Sequence, residues 1–151
     1  MNRLLAFVFV MFSASIAIAQ DDSDPTEAFQ PEIILSGETA DLNDFLWIKR
    51  PLIVFADSPA DPRYTQQMKY LTDRLEDLEK RDVVVLTDTD PSAQSALRKK
   101  LRPRGFMLVL IGKDGTIYLR KPLPWDVREI TRTIDKLPMR QQEIRDQTGA
   151  S

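Results

Sequence analysis

The chain has 151 residues, with 21 Lys and Arg against 23 Asp and Glu and a formal net charge of −2. It contains no Cys, which removes disulfides, thiolate nucleophiles and thiol redox centres, and no His, which removes imidazole ligands, a His general base and the Ser-His-Asp triad. A mixed, mildly acidic surface gives no general reason to bind nucleic acid.

The chain opens MNRLLAFVFVMFSASIAIAQ. Arg3 precedes an apolar run from Leu4 to Phe12, and small residues follow, ending Ala17-Ile18-Ala19. This is the plan of a secretory signal peptide over residues 1–19, cleaved before Gln20, and it predicts an exported protein in the periplasm or outside the cell. The apolar run falls short of the 20 or so residues of a span, so no membrane association is expected once the signal is removed. Residues 20–40 begin QDDSDPTEAFQP and read as a flexible acidic lead. Within it, Glu32 to Glu38 (EIILSGE) is a candidate short edge strand.

A folded domain is expected over residues 41–140. Asp41 can cap a short helix with Leu42, Phe45 and Leu46 on one face. Leu52 to Phe55 are four consecutive large apolar residues, the pattern of a strand buried on both faces. Asp61-Pro62 then supplies an N-cap and a first helical proline. The stripe Tyr64, Met68, Leu71, Leu75 and Leu78 predicts one amphipathic helix to about Lys80. Asp82 to Asp88 (DVVVLTD) is a second strand, and Asp90-Pro91 repeats the capping device before a helix through Ala93, Ala96, Leu97 and Leu101. Phe106 to Lys121 holds two strands around a Lys-Asp-Gly turn, which predicts a hairpin. Val127, Ile130, Ile134 and Leu137 mark a last amphipathic helix stopped near Pro138, and residues 141–151 are a polar tail expected to fray. Trp47 and Trp125, near helix ends, read as packing residues.

A helical crossover makes the first two core strands parallel, while the hairpin makes the last two antiparallel. The expected architecture is α/β, a thioredoxin-like fold with a mixed four-stranded sheet flanked by helices.

Several segments resemble one family in their order and spacing. They are Arg50-Pro-Leu-Ile-Val-Phe-Ala56, Arg81-Asp82, Phe106, Leu110-Ile-Gly-Lys-Asp-Gly115, Ile134-Asp135 and Leu137-Pro-Met-Arg-Gln-Gln-Glu143. With them the chain resembles the thioredoxin-like domain of unknown function 4174, found in bacterial exported proteins and in animal extracellular proteins with sushi repeats. The resemblance implies a peroxiredoxin-like fold and an extracytoplasmic setting. A thioredoxin carries its Cys pair just past the first core strand, where helix N–H groups and the helix dipole lower a thiol pKa. Here that stretch is Asp57-Ser-Pro-Ala-Asp-Pro62, without sulfur, so a thiol oxidoreductase or Cys peroxidase is excluded for the chain acting alone. Where thioredoxins place a cis-proline, this chain has Arg104-Gly105-Phe106.

The expected topology gathers Asp57, Ser58, Asp61, Asp88, Asp90, Arg102 and Arg104 at one rim of the sheet, where α/β sheets bind ligands. Asp57, Asp88 and Asp90 could form a Ca²⁺ or Mg²⁺ site serving an enzyme of another class, but Asp61 and Asp90 are equally explained as caps before proline. Arg104 with Arg102 could hold an anionic group, and the competing expectation is a salt bridge from Arg104 to Asp57 or Asp61. A Ser58 or Thr65 nucleophile lacks a base within reach. Among the basic residues 98–104, Lys99 and Lys100 read as a solvated helix face. The favoured reading is a non-catalytic binding module, with no cofactor implied and with an unidentified protein or small anionic ligand as partner.

Overall fold

The computed structural model describes residues 32–149. The expected signal peptide and most of the acidic lead lie outside the described residues.

The sheet is built around β2 (Arg50–Phe55), all six of whose residues are buried. β1 (Ile34–Ser36), β3 (Val83–Asp88), β4 (Met107–Ile111) and β5 (Ile117–Lys121) complete a five-stranded sheet of order β1-β3-β2-β4-β5. β1 and β2 run parallel to β3, while β4 is antiparallel to both β2 and β5. The sheet therefore has five strands rather than the four expected. The fifth is the candidate edge strand EIILSGE, whose three paired residues from Ile34 to Ser36 lie against Val85, Leu86 and Thr87 at the sheet edge. So short an edge strand carries almost no period-two signal.

Alternation along β2 divides the core. Leu52 and Val54 face one side, where they meet Leu71, Leu78, Phe106, Val127, Ile130 and Ile134. Ile53 and Phe55 face the other, against Leu97 and Leu101. The run of apolar residues in β2 is thus explained by helices on both faces. α1 (Pro62–Thr72), α2 (Leu75–Glu79) and α4 (Val127–Asp135) cover the first face, and α3 (Ala96–Leu101) covers the second.

Two helices expected to be continuous are interrupted. The stripe from Tyr64 to Leu78 packs on one core as expected, but Arg74, at φ −141°, breaks the helix between α1 and α2. Apolar spacing did not report the break because Leu71 and Leu75 keep the same face across it. After Asp90, a 3-10 turn over Pro91–Ala93 ends at Gln94 in the left-handed region, φ 47°. Ser95 then starts α3 afresh, its hydroxyl accepting from the Arg98 N–H at 3.2 Å.

The hairpin forms as expected, with Gly115 at φ 79° in its turn and a register irregularity near Leu110 and Ile111. The tail differs from expectation. Pro138 opens a twelve-residue helix, α5 (Pro138–Gly149), instead of ending structure, a role suited to a first helical position. Only Arg140 of α5 is buried, so no apolar stripe announced it. Trp47 also departs from its expected packing role: it is 67% exposed, with φ 65°.

Candidate functional site

The rim is reached where β2 and β3 end side by side, with Phe55 paired to Asp88 and the Ala56 N–H donating to the Asp88 carbonyl at 3.0 Å. The loop that follows is folded on itself. Ser58 Oγ accepts from the Ala60 N–H at 3.1 Å, and the Asp61 N–H donates to the Ser58 carbonyl at 3.2 Å. Asp61 caps α1 by accepting from the Arg63 N–H at 2.9 Å, and its other oxygen takes the Arg63 guanidinium at 3.0 Å. Hydrogen bonds from the Arg63 side chain and then from its backbone hold the Asp61 carboxyl below the usual carboxylate range. The N–H that would favour a thiolate is therefore already serving a carboxylate.

Asp88 is buried and closed off. One oxygen accepts from Arg98 Nε at 2.8 Å and from the Asp90 N–H at 3.3 Å, while the other accepts from Ser95 Oγ. Arg98 also donates to the carbonyls of Ala56 and Asp88, at 2.7 and 3.1 Å, and lies 5.4 Å from the centroid of the Phe55 ring. Thus Arg98 leaves the solvated face that Lys99 and Lys100 keep. Asp90 caps the 3-10 turn, accepting from the Ser92 hydroxyl and, at 3.0 Å, from its N–H. The Ser92 hydroxyl bond first, then the N–H bond, keep the Asp90 carboxyl below its ordinary range.

Of the seven rim residues, the structure joins Asp88 to Asp90 through a backbone bond and Asp61 to Ser58 through the turn. Asp57 is exposed. Among the described residues, no three carboxylates come within reach of a single metal ion, so Asp57, Asp88 and Asp90 are not assembled as ligands. The expected bridge from Arg104 to Asp57 or Asp61 is replaced by the shorter-range pair Arg63–Asp61. Arg102 and Arg104 are exposed, and neither has a carboxylate within 4.0 Å among the described residues. Arg102 also sits at the C-cap of α3 with φ 49°, a left-handed conformation that favours glycine.

A second polar centre was not foreseen as a unit. Arg50, Arg81, Asp82, Lys113, Asp135, Arg140 and Glu143, scattered through the segments that carry the family resemblance, converge at the other end of β2. Buried Arg50 donates to both Glu143 oxygens, at 2.9 and 3.3 Å, and to the Arg81 carbonyl at 2.8 Å. Lys113 bridges Glu143 and Asp82, each at 2.8 Å, and Arg140 reaches Glu143 at 3.1 Å. Arg81 and Asp135 form a bidentate pair, with both contacts at 2.8 Å. Burial alone would raise the Glu143 pKa, but hydrogen bonds from Arg50, Lys113 and Arg140 outweigh it and bring it down to about 2. These pairs fasten α5 to the sheet, while buried Arg140 Nε makes no hydrogen bond among the described residues and lies 3.5 Å from Asp135. Only their charged character was visible in sequence, because the partners lie up to 93 positions apart.

Among the described residues, a cleft of about 440 Å³ lies at neither centre. It opens between the loop after β1 and α3.

The model of a family described as a domain of unknown function, DUF4174, matches residues 41–143 and so ends on Glu143. No curated protein matches the sequence. Among solved structures, the chain is similar to a reduced 2-Cys peroxiredoxin of Plasmodium vivax, at 16% identity and a TM-score of 0.54, covering 68% of this chain and 85% of that one. It is also similar to a chloroplastic thioredoxin z, at 21% identity and a TM-score of 0.51, covering 68% and 90%. These likenesses show the thioredoxin-like fold.

Proposed function

Because the chain belongs to the DUF4174 family, a domain whose description assigns no chemistry, we propose that it is a non-catalytic binding module acting outside the cytoplasm. One observation carries this reading. At the place of a redox loop, Asp61, Asp88 and Asp90 are engaged as caps or in a salt bridge, while Arg102 and Arg104 stand exposed without an anionic partner among the described residues.

Arg102 strengthens it. A side chain in the left-handed region costs about 1 kcal/mol relative to glycine, and residues kept in such conformations concentrate at functional positions. The two guanidiniums suit carboxylate or phosphate groups, either on a small anionic ligand or on an acidic protein surface. Export rests on the pattern of residues 1–19.

A photo-crosslinking residue at Ala60, exposed beside the rim, tests the module in the cell. The expected result is a discrete adduct that is absent when the crosslinker stands at exposed Glu76 and lost in the R102G/R104A variant. Adducts indifferent to both arginines, or none at all, would refute the rim as the binding surface. Export is checked by the intact mass of the secreted or periplasmic protein, expected to begin at Gln20.

A further inference from the structure

We propose that the cleft between the loop after β1 and α3 binds a small zwitterion, a free amino acid or dipeptide with a primary amine, a carboxylate and an apolar body. At about 440 Å³ it falls within the usual range of small-molecule pockets. Its lining includes Glu38, Asp41, Leu42, Ala96, Leu97 and Lys100, and none of the seven rim residues.

The cleft is preformed. The Gly37 N–H donates to the Thr87 carbonyl at 2.7 Å, tying the loop to the edge of β3. A Cβ at Gly37 would meet Leu97 Cδ1 and the Thr87 oxygen, both at 3.0 Å, so loop, strand and helix are pressed together there. Asp41 fixes the far end, one oxygen accepting from the Asn43 N–H at 2.9 Å. Leu97 is buried in the second core and forms the floor, while Ala96, one residue earlier on α3, leaves the space above it open.

Charge sets the ligand class. Glu38 and Lys100 line the same cavity, yet their side chains pair neither with each other nor with other described residues. The second oxygen of Asp41 is likewise without a hydrogen bond among the described residues. Two carboxylates and one ammonium around an apolar floor suit a ligand that presents an amine to Glu38 and Asp41 and a carboxylate to Lys100. A charge-assisted hydrogen bond at either end is worth about tenfold in affinity.

The test uses L-leucyl-L-leucine as probe, with amide NMR spectra of the purified exported protein as readout. Saturable shifts are expected at Thr39, Ala40, Leu97 and Lys100. N-acetylation of the probe, or conversion of its carboxylate to an amide, should each weaken binding about tenfold. Glu38→Gln should weaken the parent dipeptide but leave the N-acetyl form unchanged, and Lys100→Met should do the same for the parent and the amide form. Ala96→Phe should abolish the shifts while the dispersed spectrum shows the fold intact. An absence of saturable shifts at these residues, or equal binding of parent and blocked dipeptides, would overturn the assignment.

Discussion

At Asp88 the decisive contacts are internal. The carboxylate is 1% exposed, and Arg98 and Ser95 occupy it. Removing one partner of a buried pair leaves the other charge uncompensated, so Asp88→Ala is expected to cost about 3–5 kcal/mol in urea unfolding. A loss under about 1 kcal/mol would mean that Arg98 finds water. Glu143 makes a similar case at the opposite end of β2, with a pH signature. Its folded pKa, about 2, lies below its ordinary 4.5. The stability it contributes is therefore present above about pH 4.5 and is lost as pH falls toward about 2. The shift caps that contribution at about 3 kcal/mol, and solvent screening of the partly exposed carboxylate reduces it. Glu143→Gln should remove that part of the acid limb, so that wild type and variant converge in stability near pH 2; parallel curves would contradict the assignment. The segments Arg50 to Ala56, Arg81-Asp82, Leu110 to Gly115, Ile134-Asp135 and Leu137 to Glu143, which carry the family resemblance, thus include a structural clasp.

At the scale of elements, α5 depends on that clasp. Its only buried residue is Arg140, and its link to the sheet is ionic. In Glu143→Gln, amide hydrogen exchange should show α5 losing protection while β2 keeps it; uniform loss across both would show that α5 is not a separately fastened unit. The same element shows which parts of the fold leave a mark in the sequence. β2 and β3 were legible as unbroken apolar runs buried on both faces, the hairpin by its Gly-bearing turn, and α4 by its helical apolar period. α5 has no period, only charges whose partners are remote in sequence. The breaks at Arg74 and Gln94 were hidden for another reason: the apolar stripe continues on one face across the first, and across the second Ser95 was a better cap than the Asp90-Pro91 pair could reveal. At the rim, topology correctly brought the ends of β2 and β3 together. It could not show that Arg63 takes Asp61 and that Arg98 takes Asp88, because guanidinium partners are chosen by side-chain reach.

For the whole molecule, the arrangement keeps a thioredoxin-like frame and replaces the position of its thiol chemistry with a capped, hydrogen-bonded turn. Purified protein should neither reduce insulin nor consume peroxide, since no atom in the chain can cycle as a thiol. The binding reading predicts a separation between stability and function at Arg102. Glycine fits φ 49° without strain, so Arg102→Gly should raise stability by about 1 kcal/mol. A residue retained for folding alone would gain from that change and lose nothing. The most direct test is the adduct yield from a crosslinker at Ala60 in the Arg102→Gly background. The account expects the adduct to disappear from a protein that has become more stable, and an undiminished adduct would contradict it.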